Sequence, residues 1–129
     1  MDKGEKKRFS VKARARSFSY AGKGIATLLR EEHNARIHLV AAVVAVAAGI
    51  LLEISAAEWA VVALCIGGVT AAEAINSAIE ALCDRVSPGF DPMIGKSKDL
   101  AAAGVLLTAA GAAAAGLLIF IPKIVSLLG

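Results

Sequence analysis

Residues 100–121 read LAAAGVLLTAAGAAAAGLLIFI, a run of 22 positions without a charge whose only polar side chain is Thr108. At ~1.5 Å per helical residue such a run crosses a hydrocarbon layer of ~30 Å unaided. Two shorter apolar runs precede it: residues 37–52, interrupted only by His38, and residues 56–72, interrupted only by Glu58. These reach spanning length by extending into their polar flanks. The whole chain agrees, because with 57% hydrophobic and 19% charged residues and a mean hydropathy of +0.69 it is too greasy for a water-soluble domain of 129 residues. The reading is an all-α integral membrane protein, one domain over 1–129, with transmembrane helices over 36–53, 56–85 and 99–121. Nothing is left over to build a separate catalytic lobe.

The charge is lopsided. Residues 1–36 carry ten of the fourteen Lys and Arg, so the net charge of +3 is a basic head on an apolar body. No aromatic interleaving or base-reading motif accompanies that head, which favours a membrane surface over nucleic acid as its partner. Within it Phe18, Ala21, Ile25 and Leu28 recur at helical spacing, predicting an amphipathic surface helix over 13–33 behind a flexible tail over 1–12. Polar turns at residues 53–55 and 85–98 divide the three spans, so the basic head and Arg85, Lys96 and Lys98 share one side. Glu53, Glu58 and Lys123 fall on the other. The excess of Lys and Arg puts the first group in the cytoplasm of a multi-pass protein. A basic head this long is no signal-peptide n-region, so no cleaved leader is expected.

Small residues crowd the spans, with Gly67-Gly68 in the second and Gly104, Gly111 and Gly116 in the third. Backbones can then approach closely, and since three short spans enclose little by themselves, oligomerisation is expected.

Chemistry concentrates in residues 73–85, EAINSAIEALCDR. On a helix Asn76, Glu80 and Asp84 fall at about −60°, −20° and +20° from Glu73, one stripe of three carboxylates and an amide. Asp84 and Arg85 suit a helix leaving the bilayer for water. Glu73 does not, because Ala74, Ile75, Ala78 and Ile79 keep its surroundings apolar, and an acid there calls for a polar cavity, a cation or another side chain. Glu31-Glu32 lies at the same boundary, where it either balances Arg30 and Arg36 on a helix surface or, with Glu80, offers oxygens to Mg²⁺. That cation keeps waters and substrate phosphates in its shell, so two protein carboxylates suffice. Lys98-Asp99 opens the third span, either as a phosphate contact or as a helix start with Ser97 or Asp99 as cap.

Several features are decoys. Gly89 to Ser97 imitates a phosphate loop, but five residues separate its glycines where four are needed, and no strand precedes it. His33 and His38 lack further ligands at metal spacing and read as interfacial helix residues, and Cys65 and Cys83 read as buried small residues.

Taken together, Tyr20, Lys23-Gly24, Glu32, the Glu73-x-x-Asn76-x-x-x-Glu80-x-x-x-Asp84 stripe and Lys98-Asp99 resemble, in order and separation over residues 14–123, the bacterial diacylglycerol kinase and undecaprenol kinase family. Glu32-His-Asn-Ala-Arg36-Ile-His38 and Phe120-Ile-Pro-Lys123 look more like its Gram-positive undecaprenol kinase branch. The resemblance implies a homotrimer in the bacterial inner membrane with active sites shared between subunits at the cytoplasmic face. It implies transfer of the γ-phosphoryl group of ATP to undecaprenol, or alternatively to diacylglycerol.

Carried onto this chain, the resemblance makes Glu73 the base that takes the lipid hydroxyl proton, assisted by Asn76. Glu32 and Glu80 become Mg²⁺ ligands, and Tyr20, Glu32, Glu80, Lys98 and Asp99 become ATP contacts. Arg36 and Glu73 would meet the lipid, and Asp84 would help. One departure is Asp91-Pro92-Met93, where many relatives have a histidine-containing run; an aspartate beside polyphosphate repels, so no phosphate role is carried to Asp91. A different class, a channel or regulator subunit, would need polar residues through the depth of a span, yet residues 39–52 and 100–121 offer only Thr108.

Overall fold

The computed structural model describes residues 8–129, all of whose regular structure is helical. Residues 1–7 of the expected tail lie outside the described residues. Helix α1 spans Val11–Glu31, starting inside that tail because Ser10 caps it, its Oγ accepting from Ala13 N at 3.2 Å. Its other end is a joint of a single residue. Glu32 is extended (φ −108°, ψ 114°), donates its N–H to Leu28 O at 3.0 Å, and is at once the N-cap of α2 (His33–Leu51). The orphan carbonyls of α1 are met by Arg36, whose Nε donates to Leu29 O at 2.7 Å while its guanidinium also reaches Arg30 O.

Helix α2 ends in a Schellman turn: Ile54 N donates to Gly49 O at 3.2 Å and Glu53 N to Ile50 O at 3.4 Å, with Glu53 in the left-handed region at φ 52°. Ser55 then opens α3 (Ala56–Val86) with a reciprocal capping box, Glu58 N to Ser55 Oγ at 3.2 Å and Ser55 N to Glu58 Oε1 at 3.0 Å. Helix α4 spans Pro92–Leu128. It starts seven residues before the expected boundary, and its cap is neither Ser97 nor Asp99. Asp91 Oδ1 accepts from Met93 N at 2.8 Å and Ile94 N at 3.4 Å, and Pro92 fills the first turn, where no N–H is needed. Ser97 instead donates back to Met93 O. The same helix passes through Pro122 for a further turn and a half instead of stopping there.

Helices α2, α3 and α4 are long and apolar enough to cross a membrane. At ~1.5 Å per residue α3 and α4 measure about 46 and 55 Å, well beyond a ~30 Å hydrocarbon core, so each has a portion left for the interface. They form an antiparallel hairpin across the short turn at 87–91 and pack closely, with Gly68 opening room for Thr108. The threonine hydroxyls are settled within their helices, Thr70 on Ile66 O and Thr108 on Gly104 O, both at 2.7 Å. Helix α2 packs mainly on α3, and only Ala35 and Gly49 along it are buried.

The core is small and lies at the α2–α3 turn. Ile54, Val62 and Ile119 are buried there, flanked by Leu52, Trp59, Ile66 and Phe120. Gly49 lies under the Trp59 ring, where an added Cβ would come within 2.7 Å of Cη2. From the core side chains Val62 and Ile119 an apolar cavity of about 600 Å³ runs between α2, α3 and α4, walled by alanines such as Ala41, Ala45 and Ala112, with His38 on its wall. The outer faces of α2 and α4 expose Val40, Val43, Ile50, Leu106, Leu107 and Leu118, a surface suited to lipid or to other helices and not to water.

Candidate functional site

Helix α3 presents its acidic stripe toward the end of the molecule opposite the core. Glu73 is 15 residues beyond Glu58, about 22 Å along the axis at 1.5 Å per residue. It is the most buried polar residue of the described chain, 2% exposed. Asn76, Ser77 and Glu80 are half-buried along the same face, and Asp84, one turn further, is exposed. The helix places them there because positions three and four apart share a face.

Three buried polar atoms of this stripe, Glu73 Oε1, Asn76 Oδ1 and Ser77 Oγ, have no hydrogen-bond partner. Buried polar atoms are almost always paired, and leaving one unpaired costs about 1–3 kcal/mol. Three together on one helix face mark a place made to meet something. The nearest group is His38 of α2, whose Nε2 lies 3.1 Å from Glu73 Oε1 without the alignment of a hydrogen bond.

Glu32 sits in the joint between α1 and α2, half-buried, and its side chain does not cap the helix it precedes. Neither Glu32 nor Glu80 forms an ion pair or a side-chain hydrogen bond among the described residues, so both carboxylates are unspent. The same residues hold no group of three or more His, Cys, Asp or Glu side chains arranged as a metal cage.

Lys98 reaches across the α3–α4 hairpin to Asp84, Nζ to Oδ1 at 2.5 Å, with side-chain exposures of 40% and 67%. A pair this open to solvent contributes little to stability, about 0–1 kcal/mol, and is easily exchanged for another anion. Asp99 is exposed on α4. Tyr20 is exposed on α1 with Lys23 Nζ 5.9 Å from its ring centroid, and among the described residues neither Tyr20 nor Asp99 bonds to α3. Arg36 is turned onto the last carbonyls of α1. The expected site residues thus divide into the α3 stripe, the Glu32 joint and the Asp84–Lys98 pair, with Tyr20 and Asp99 standing apart.

Two residues stand at the site without a role there in the sequence reading: Ser77, which it passes over, and His38, which reads from sequence as an interfacial helix residue and which the structure sets against Glu73 on the cavity wall. Ser77 is four positions from Glu73 and adjoins Asn76, so the spacing that selected the stripe selects it too. His38 is the lone polar residue of the first apolar run, a position whose cost already asks for a partner. Residues 92–97, the imitation phosphate loop, are helical, and Cys65 and Cys83 are free thiols.

The profile of the prokaryotic diacylglycerol kinase family matches residues 19–120. The chain is 38% identical over 109 residues to undecaprenol kinase of Bacillus subtilis (strain 168), covering 84% of this chain and 89% of that one. It is 34% identical over 113 residues to diacylglycerol kinase of Synechocystis sp., covering 87% of this chain and 65% of that one. A profile spanning most of the chain, and a relative matched along nearly its whole length, leave one assignment: the chain belongs to the prokaryotic diacylglycerol kinase family of lipid kinases.

Proposed function

We propose that this protein is an ATP- and Mg²⁺-dependent undecaprenol kinase of the bacterial inner membrane, acting as a homotrimer from the cytoplasmic face. The observation that carries the chemistry is the buried Glu73 carboxylate with an oxygen that no protein donor satisfies. The choice of acceptor is supported by the Bacillus relative, matched over 89% of its length under the name undecaprenol kinase. Diacylglycerol is the second reading, supported by the name of the Synechocystis relative. Prenyl and acyl tails present similarly apolar surfaces to the spans, which do not choose between them.

In this reading α1 lies on the inner leaflet, α2, α3 and α4 cross it, and the stripe sits where the apolar part of α3 ends. The lipid tail stays in the bilayer, its hydroxyl reaches Glu73, and ATP arrives from water on the Glu80, Asp84 and Lys98 side. As the hydroxyl oxygen bonds to the γ-phosphorus and the bond to ADP breaks, Glu73 takes the hydroxyl proton, with Asn76 fixing the carboxylate's side of the stripe. A positioned base of this kind contributes about 10²–10⁴-fold. Lys98 exchanges Asp84 for phosphate oxygens, and Tyr20 and Asp99 come to the nucleotide from α1 and α4.

Glu32 and Glu80 fit Mg²⁺ because they are unspent oxygen donors from separate parts of the chain, the α1–α2 joint and helix α3. Two carboxylates are too few for a closed protein cage and enough for an ion shared with phosphates. Bound there, the ion would neutralise charge developing on the transferring group. Alignment and neutralisation supply most of phosphoryl-transfer catalysis, which is why so small a protein can perform it. Completing the site from neighbouring subunits agrees with the thin packing of α2 and with Tyr20 and Asp99 standing away from the stripe.

The test offers purified protein labelled ATP with undecaprenol or diacylglycerol in matched micelles. Preferential labelling of undecaprenol is expected; preference for diacylglycerol moves the assignment to the second reading, and no phosphorylated lipid with either acceptor refutes the kinase proposal for this chain. Ion flux through liposomes without ATP would favour the channel class, which the self-satisfied Thr70 and Thr108 hydroxyls count against.

A further inference from the structure

Among residues 37–52, His38 is the one polar side chain, and it stands on the wall of the apolar cavity between α2, α3 and α4. An imidazole there loses hydration that alanine and valine neighbours cannot replace. The ionisable group facing it is Glu73: Nε2 lies 3.1 Å from Oε1, with the carboxylate side chain 3% exposed and the imidazole 28%. The contact joins the buried carboxylate on α3 to the cavity, and it is the one ion-pair contact of either residue among the described residues. Because it falls short of a hydrogen bond, Oε1 retains capacity for a further donor.

Helix α2 packs thinly on its neighbours, and a glutamate has three rotatable side-chain bonds. Without a partner, the Glu73 carboxylate would have no side chain to hold it against the cavity. We infer that His38 is a positioning residue for Glu73, holding the carboxylate beside the part of the cavity that His38 itself lines, where an alcohol headgroup would present its hydroxyl. This rests on the reading of Glu73 as the base. His38 touches neither phosphate nor metal in this scheme, so its loss acts on turnover through Glu73 and leaves nucleotide affinity alone.

The experiment compares His38→Leu, His38→Gln and Glu73→Gln in the full chain in lipid–detergent micelles, with kcat and the KM for ATP measured separately. Leucine removes the donor and glutamine keeps one at similar reach. The leucine variant should lose about a hundredfold in kcat, with the KM for ATP within about twofold, because misplacing a reacting group by about an ångström costs on that order. The glutamine variant should recover most of the loss. If His38→Leu does not fold, His38→Asn, whose amide is too short to reach Oε1, takes its place with the same expectation.

A kcat unchanged by His38→Leu alongside an inactive Glu73→Gln overturns the role of His38 and leaves the base assignment standing. Equal losses in the leucine and glutamine variants also overturn it. A fully active Glu73→Gln removes the base assignment itself.

Discussion

The two ends of the α3–α4 hairpin are built on opposite terms. At the α2–α3 turn the polar groups find partners within the chain: the Schellman turn uses the carbonyls of Gly49 and Ile50, Ser55 and Glu58 cap each other, and Lys123 Nζ pairs with Glu58 Oε1 at 3.2 Å. The buried apolar side chains of the core gather there too. Some 22 Å away at ~1.5 Å per residue, the end carrying Glu73 leaves oxygens of Glu73, Asn76 and Ser77 unpaired, and Glu32 and Glu80 unspent. One end finishes the fold. The other leaves polar atoms that the described chain itself does not pair.

If that contrast is right, substitutions at the unfinished end change turnover and leave stability nearly untouched, while those at the finished end do the reverse. The largest effect is expected from Glu73→Gln, which preserves shape and removes the proposed base: kcat should fall by about 10²–10⁴-fold with the melting temperature in detergent nearly unchanged. A folded variant that keeps wild-type turnover would erase the distinction.

Next come Glu32→Gln and Glu80→Gln. Each should move the magnesium dependence of the rate to higher concentration, by about tenfold or more for a lost carboxylate ligand, with turnover partly restored at saturating ion. Titrating rate against Mg²⁺ checks this, and wild-type curves in both variants would remove the metal role and leave two unexplained acids. At the finished end Gly49→Val forces atoms into the Trp59 ring, whose Cη2 is already 2.7 Å from where a Cβ would sit. Overpacking of this kind costs about 1–3 kcal/mol, read as a lower melting temperature with kcat of the folded fraction retained. Loss of kcat without loss of stability would show that the two ends are coupled.

How much of this was legible before the fold depends on what each feature answers to. The three spans and the stripe answer to hydropathy and helical period, properties carried by the sequence itself, so residues 37–52, 56–72 and 100–121 mark helices α2, α3 and α4 directly. The start of α4 did not follow. Residues 92–98 look like loop because Pro, Gly and Lys dilute the apolar pattern, whereas Asp91 and Pro92 together make a strong helix start that decides the matter locally. The Asp84–Lys98 and His38–Glu73 contacts depend on the register and rotation of one helix against another, which no single-helix periodicity encodes. Ser77 was within reach of the spacing argument and differs from Asn76 only in being easy to read as a small packing residue.

The smallest expected effect sharpens the contrast from the stable side. Glu53 holds the left-handed position that closes the Schellman turn, φ 52°, where an L side chain is strained and glycine is the usual occupant. That conformation costs a non-glycine residue about 1–2 kcal/mol, part of which glycine would give back through its larger freedom in the unfolded chain, about 0.5–1 kcal/mol. Glu53→Gly should therefore stabilise the protein by about 0.5–1 kcal/mol, raising the midpoint of denaturant unfolding in micelles while kcat and the magnesium curve stay put. Destabilisation instead would mean that the Glu53 side chain contributes an interaction outweighing its backbone strain, so the finished end would owe part of its strength to a charge in its turn. A change in kcat would be the more damaging result, since it would carry an effect from the turn to Glu73 along α3 and deny that the two ends answer to separate demands.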